Sequence, residues 1–247
     1  MENRCVYPRL SIGLQVRILP VPIFKRGIMI IAGIDCSMNG TGIYKFELDD
    51  KFNLISKDYL AFTTKKKYSN NNILYYNPKK DFKSYIEKNN WMYEKIFTFI
   101  NGCECVAIED YAFGAKGRVF DIAEFTGVLK SKICDREIPI RLYSIGTIKM
   151  YATTKGDAKK PKIEDMFLLE PNIPNLTHMP SAHDKTSQNP RCDIHDAYFI
   201  TKLLQLELSI RAGHTLLNQL PQEKIKIFNR VTTANPVNIL ARDFLTN

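Results

Sequence analysis

The sequence lacks several features that would place it in a specialised class of protein. No apolar run approaches the roughly 20 residues that a membrane-spanning helix needs, because the longest, Ile28 to Ile34, has only the length of a strand. The six cysteines include no CxxC pair and no regular spacing, which disfavours a disulfide scaffold or a zinc ribbon. There are no internal repeats. We therefore expect a soluble, cytoplasmic α/β protein with one main core.

Positive charge is abundant. Lys and Arg number 35 against 26 Asp and Glu, which gives a formal net charge of +9. An excess of this size is typical of a protein with a polyanionic partner. An anionic membrane surface would also suit it, but nucleic acid is the commoner partner.

The first 28 residues differ in composition from the rest of the chain. They contain five Arg or Lys, one Glu and three prolines, without a helical or strand period. Interruptions by Arg17, Pro20 and Pro22 disfavour a signal peptide. We predict a basic, disordered arm at 1–28, either an inert extension or a DNA-contacting segment, with Met29 as an alternative start. A folded domain over 29–213 and a C-terminal extension over 214–247 complete the predicted organisation.

Within the predicted domain, hydrophobic patterning indicates the element order βββαβαβα. Segments 65–83 and 171–192 are rich in polar residues without periodicity and are predicted as loop insertions. The clearest helix begins at Asp193 and ends near Ala212, before Gly213. This order predicts a mixed sheet flanked by helices.

Two acidic residues end predicted buried strands. Asp35 closes the run IIAGID, and Glu109 follows the apolar strand CVAI. Ligands of α/β sheets gather at the carboxyl ends of strands, and an acid there is costly to bury unless it is paired, protonated or bound to a metal. Each acid could equally be an ordinary strand-end residue that meets solvent.

Asp193 and Asp196 occupy the first turn of the last predicted helix. Their i, i+3 spacing puts both on one face. As a pair they could simply cap the helix, because a helix N-terminus favours anions. The remainder of the helix is apolar, however, so these acids lie at the mouth of a buried element.

Together the four acids form an oxygen-only ligand set, which suits Mg²⁺ or Mn²⁺ better than zinc. Two such ions about 4 Å apart can activate water for attack on a phosphodiester and stabilise the leaving 3′ oxygen. The pattern therefore predicts a metal-dependent hydrolase. His195, between Asp193 and Asp196, points to the side of the helix and is not expected to be a ligand.

Four motifs together resemble the RuvC-type Holliday junction resolvases, from Met29 to about Ala212. They are GIDCSMNGTGI, AIEDYAFG, the lysine-bearing TIKMYATTKGDAKKPKIEDM and DIHDAYFITKLL. The resemblance implies an RNase H-like, mixed five-stranded sheet flanked by helices. It also implies a homodimeric, Mg²⁺-dependent endodeoxyribonuclease that acts on four-way junctions in DNA recombination and repair, with Asp35, Glu109, Asp193 and Asp196 as catalytic metal ligands.

The same resemblance assigns roles to basic and aromatic residues. Lys149 and Lys160 match lysines near the scissile phosphate, and Lys155 and Lys159 flank them as DNA contacts. After Glu109, the resemblance implies that an aromatic residue, Tyr111 or Phe113, stacks on bases. Lys116 and Arg118, which follow the second motif, resemble phosphate contacts. The helix from Val119 would contribute to the dimer interface. The lysines could instead form a solvated basic face, and the aromatics could pack in the core.

Some features depart from the resolvase pattern. The turn after Asp35 is Cys-Ser-Met-Asn instead of Pro-Gly, and the two insertions are long. Such elaboration resembles phage or viral resolvases, and it places strict specificity for four-way junctions in doubt. A nuclease that acts on flaps or branches, or in DNA packaging, is therefore an alternative function. GIDCSMNGTGI also resembles the phosphate hairpin of actin-like ATPases and sugar kinases, although no second such turn follows. A junction-binding protein without catalysis is the non-enzymatic alternative.

Overall fold

A computed structural model describes residues 27–37, 40–110, 119–184 and 190–234. Tyr111, Phe113, Lys116, Arg118 and the arm at 1–26 lie outside the described residues, as do 235–247. The strands are β1 (Met29–Asp35), β2 (Gly42–Leu48), β3 (Leu54–Thr63), β4 (Ile73–Tyr75), β5 (Cys105–Glu109) and β6 (Ile140–Tyr143). The helices are α1 (Tyr85–Phe99), α2 (Val119–Cys134), α3 (Ile145–Thr153), α4 (Lys160–Leu168), α5 (Arg191–Arg211) and α6 (Gln222–Ala234).

The strands form a single mixed sheet in the order β4-β3-β2-β1-β5-β6. The first three strands are an antiparallel meander, and β5 and β6 continue the sheet in parallel with β1. The predicted fold class, a mixed α/β sheet flanked by helices, is confirmed.

The sheet has six strands, so the prediction of five is wrong. The additional strand, β4, lies in the 65–83 segment that was predicted as a loop. It pairs in parallel with the end of β3 and buries Ile73 completely. Three residues are too few to produce a visible alternation in the sequence, so pairing at the sheet edge determines this strand.

Two further helices were not predicted. The lysine-bearing segment contains α4, which begins with Pro161 in its first turn, a favourable position for proline. The C-terminal segment contains α6, which packs against α3. Helix α5 begins at Arg191, two residues before the predicted start. No helix among the described residues is long and apolar enough to cross a membrane.

Helix α5 covers one face of the sheet, and most of its 21 residues are buried. It contacts β1, β2, β3 and β5 and forms a core with α3, α4 and α6. A second core on the opposite face contains apolar residues of α1 and α2. The sheet is thus the middle layer of three, and α5 lies against its centre.

Two glycines allow α5 to approach the sheet closely. A Cβ atom at Gly33 in β1 would lie 2.5 Å from the backbone nitrogen of Thr201, and one at Gly42 in β2 would lie 2.2 Å from the carbonyl oxygen of Asp193. Real Cβ atoms do not approach other atoms so closely. The absence of side chains at these two positions therefore brings the first turn of α5 against the carboxyl end of β1, where Asp35 pairs with Gly42.

Candidate metal centre

Asp35 and Glu109 end two neighbouring parallel strands. Ile34 in β1 pairs with Ile108 in β5, so the residue that follows each of them lies at the same edge of the sheet. Asp35 is only 9% exposed, and Glu109 is half-buried. Both acids therefore lie at the strand ends where the sequence predicted them, but they are more enclosed than strand-end acids that meet solvent.

Asp193 and Asp196 approach this edge from α5. The contact between Gly42 and the backbone of Asp193 fixes the first turn of the helix beside the end of β1. Asp193 is 4% exposed and Asp196 is half-buried. Three separate segments of the chain thus contribute one group of carboxylates.

The pKa values show that the four carboxyl groups interact. Burial raises the pKa of Asp35 to about 8, and the Asp196 carboxylate adds to this rise. Burial also raises the pKa of Glu109 well above its usual range, with further contributions from Asp35 and Asp196. The pKa of Asp193 is raised in the same way by burial and then by Asp35, and burial raises that of Asp196 to about 6. Like charges held together in a poorly solvated place disfavour ionisation.

Lys160 and Lys149 moderate this negative charge. The Lys160 ammonium opposes the rise in pKa of all four acids, and the Lys149 ammonium opposes the rise in pKa of Glu109 and Asp196. Burial lowers the pKa of Lys160 itself, but the neighbouring acids, led by Asp193, raise it overall. Both lysines that were predicted to act near the scissile phosphate therefore influence the acids electrostatically.

The carboxylates fit a divalent cation in their chemistry. The Oδ2 atom of Asp193 is buried without a hydrogen-bond partner among the described residues, and burial, together with neighbouring carboxylates, raises the pKa values of Asp35 and Asp193. Oxygen donors of this kind suit Mg²⁺ or Mn²⁺. Across the four described ranges, however, no group of three or more His, Cys, Asp or Glu side chains is arranged so that it could hold a metal ion.

His195 belongs to the core. It is 2% exposed, its ring lies 4.3 Å from that of Phe167, and burial lowers its pKa to about 3. Its Nε2 atom is buried without a hydrogen-bond partner among the described residues, and the prediction that His195 is not a ligand stays a prediction. Lys155 and Lys159, which were predicted as DNA contacts, are exposed residues between α3 and α4.

Sequence reasoning missed two buried ionic groups that position the elements of the centre. Arg191 forms an ion pair with Glu164, which connects the start of α5 to α4. At the other end of α5, Glu207 accepts hydrogen bonds from Arg141 at 2.9 Å and Tyr143 at 2.7 Å in β6, and from Arg211. The one local signal was the i, i+4 spacing of Glu207 and Arg211.

Known proteins offer only distant similarities. No protein-family model matches the sequence, and no curated protein matches it. A structure of RuvC from Thermus thermophilus is similar with a TM-score of 0.46 and 16% identity over 75% of this chain and 98% of that chain. The T. thermophilus RuvC complex with a Holliday junction substrate gives a TM-score of 0.45 and 15% identity over 75% of this chain and 97% of that one.

A member of the Ppx/GppA family from Aquifex aeolicus is also similar, with a TM-score of 0.28 and 13% identity over 51% of this chain and 38% of that one. Similarities at this level do not assign a function. The sheet and its carboxylates define the class of this protein. It is a mixed α/β protein with an acidic centre at the carboxyl ends of β1 and β5.

Proposed function

We propose that this chain is a divalent-metal-dependent endodeoxyribonuclease that cuts branched DNA, with the Holliday junction as its preferred substrate. The observation that carries the proposal is that three segments of the chain bring together four acids whose carboxyl groups influence one another's pKa values. The Lys160 ammonium is close enough to influence these pKa values as well. A structural cluster of acids would not need such burial, because its members could reach solvent at the sheet edge. The net charge of +9 suits a polyanionic substrate.

Each group has a role in this proposal. Asp35, Glu109, Asp193 and Asp196 would hold Mg²⁺ or Mn²⁺, which when bound supplies activation of water and stabilisation of the leaving oxygen. Lys160 and Lys149 would orient the scissile phosphate and offset the charge that develops on it. The resolvase resemblance extends the proposal to a phage-like enzyme that acts as a homodimer, with one active site for each strand to be cut.

The test compares acid variants with a control on the same strand. Asp35→Asn and Glu109→Gln should bind a four-way junction with unchanged affinity but lose cleavage, since each removes a carboxylate that would hold the divalent cation. Glu104→Gln, at the opposite end of β5, should cut like the wild type. Cleavage is measured on four-way, three-way, flap and linear DNA with Mg²⁺, Mn²⁺ or EDTA.

The substrate series separates the alternatives. Preference for flaps over four-way junctions would favour a broader structure-specific nuclease over a junction resolvase. Near wild-type cleavage by Asp35→Asn would overturn the assignment of the centre. ATP turnover without any strand cleavage would favour the kinase-like alternative, and junction binding without either activity would favour a binding protein.

A further inference from the structure

Three lysines surround a single carboxylate on the α5 side of the sheet. Lys202 of α5 forms an ion pair with Glu170, and Tyr198 donates a hydrogen bond of 2.8 Å to the same carboxylate. Lys57 of β3 and Lys224 of α6 are close enough that Glu170 raises the pKa of each. Three ammonium groups and one carboxylate give this group a net charge of +2.

The lysines are not spread over open surface. Burial lowers the pKa of both Lys57 and Lys224, and the charge of Lys202 lowers both further. The Lys57 ammonium lies 5.3 Å from the ring centre of Tyr198, and that of Lys224 lies 5.0 Å from the ring centre of Tyr151. Packing against aromatic rings holds the like charges near one another, at a cost that a bound anion would reduce.

A pocket of about 440 Å³ shares Lys202 with this group. Its floor is the middle of α5, and its walls come from the turn between β2 and β3, from Tyr151 of α3 and from the segment after α5. Lys202 lies in the floor, and Lys51 and His214 are exposed at its edge. None of the described residues that line the pocket is acidic. Asp49 and Asp50 precede Lys51 on this turn, and Asp49 accepts a hydrogen bond of 2.9 Å from the side chain of Asn53.

The walls of the pocket are held by bonds within the protein. The side chain of Gln205 donates to the carbonyl oxygen of Phe52 at 2.8 Å, and the hydroxyls of Ser209 and Thr215 are 2.7 Å apart. The pocket is therefore formed before a ligand arrives, which reduces the cost of binding.

We propose that this pocket, here named the α5 pocket, is a second anion site that binds a phosphate group. The phosphate is either a free ion or part of a nucleic-acid backbone, and the second source rests on the proposed function. Lys202 is six residues from Asp196, or about 9 Å along the helix axis. The α5 pocket is thus distinct from the carboxylate centre.

The first experiment titrates inorganic phosphate into the full-length Asp35→Asn protein without divalent cations, using calorimetry. We expect saturable binding with one phosphate per chain. Lys202→Gln should weaken this binding by about tenfold or more, because it removes a charge-assisted contact. Lys202 also pairs with Glu170, so Lys51→Gln, at the edge of the pocket and outside that pair, serves as a second variant. Lys79→Gln, on an exposed loop, is the control with the same change in net charge.

The second experiment measures the salt dependence of binding to a single-stranded oligonucleotide for the same proteins. A backbone phosphate in the pocket predicts that each pocket variant lowers the slope of log K against log salt by about 1. Loss of inorganic phosphate binding without a change in slope would support the pocket and assign its ligand to free phosphate. Equal phosphate binding by Lys202→Gln, Lys51→Gln and Lys79→Gln would overturn the proposal.

These outcomes are independent of the proposed function. Phosphate binding is measured in a variant that is not expected to cut, and without metal. A failure of the wild type to cut any DNA would therefore contradict the nuclease but leave the phosphate result intact. Conversely, normal cleavage with no phosphate bound would reject the α5 pocket alone.

Discussion

Arg191 and Glu164 form a buried ion pair that joins the first residue of α5 to the middle of α4. The second guanidinium nitrogen of Arg191 donates to the carbonyl oxygen of Met179 at 2.9 Å. Glu164 also accepts hydrogen bonds from the backbone of Ala182 and, at 3.0 Å, from the hydroxyl of Ser181. The pair therefore holds the segment before α5 against α4, the helix that begins with Lys160.

Removing one partner should be costly. Glu164→Ala would leave Arg191 buried without its counter-ion, and we expect a loss of about 3–5 kcal/mol in the free energy of unfolding. Asp165→Ala is the neighbouring control, because Asp165 pairs with His183 at the surface and should cost less than about 1 kcal/mol. Urea denaturation measures both. Equal losses in the two variants would show that the buried pair does not hold α5 in place.

Lys160 and Lys159 are adjacent, yet they should act differently. Lys160→Gln removes the ammonium that influences all four acids, so we expect kcat for DNA cleavage to fall on the order of 10²-fold. Lys159→Gln should leave kcat unchanged and reduce only the salt dependence of DNA binding, by about 1 in slope. Single-turnover cleavage and binding titrations separate the two effects. A similar fall in kcat for both variants would reject the specific role of Lys160.

Gly42 should tolerate no side chain. In Gly42→Ala the new methyl group would meet the backbone of Asp193, so the first turn of α5 must move away from Asp35. We expect loss of cleavage with retained secondary structure, measured by nuclease assay and circular dichroism. Gly213→Ala is the control: its φ of +76° makes alanine strained by about 1 kcal/mol, but the site is open. That variant should lose stability and keep cleavage.

The raised pKa of Asp35 predicts how stability depends on pH without metal. The group titrates near 8 in the folded protein and near 3.9 in the unfolded chain, so the folded state binds its proton more tightly. Its contribution to stability is complete below about pH 4 and is lost as the pH rises through about 8. Asp35→Asn cannot ionise and should therefore become progressively more stable than the wild type between pH 5 and 8, as measured by urea denaturation in EDTA.

Asp49 provides a control of opposite sign. The side-chain hydrogen bond from Asn53 lowers the pKa of Asp49 in the folded protein. The contribution of Asp49 to stability is therefore present above its pKa in the unfolded chain and is lost as the pH falls. Asp49→Asn should be less stable than the wild type at neutral pH, and this difference should not grow between pH 5 and 8. A difference in the free energy of unfolding between Asp35→Asn and the wild type that stays constant over this pH range would contradict the raised pKa of Asp35.

The predictable part of the centre followed from local patterns. Asp35 and Glu109 end apolar runs, and parallel strands bring their carboxyl ends to one edge of the sheet. The i, i+3 spacing puts Asp193 and Asp196 on one face of the helix that contains them, so predicting the helix was enough to predict that they lie together. For these acids, the sequence predicted the elements that carry them, and the structure brings those elements together.

The missed features depend on contacts between distant residues. Arg141 and Glu207 are 66 positions apart, and neither stands out from the exposed Arg and Glu residues elsewhere in the chain. Helix α4 was not predicted because its first turn contains Lys160, Pro161 and Lys162, and such a charged, proline-containing sequence is typical of a loop. In the same way, the role of Gly33 became visible only once α5 was placed against it.

The dependence of the carboxylate centre on α5 also has a consequence during protein synthesis. Asp193 lies 158 positions after Asp35, and the helix that carries it contacts four earlier strands. At roughly 5–20 residues per second, a ribosome needs on the order of ten seconds or more to add that intervening chain. Until α5 has left the ribosomal exit tunnel and docked, the nascent polypeptide has strand ends but no complete acidic centre.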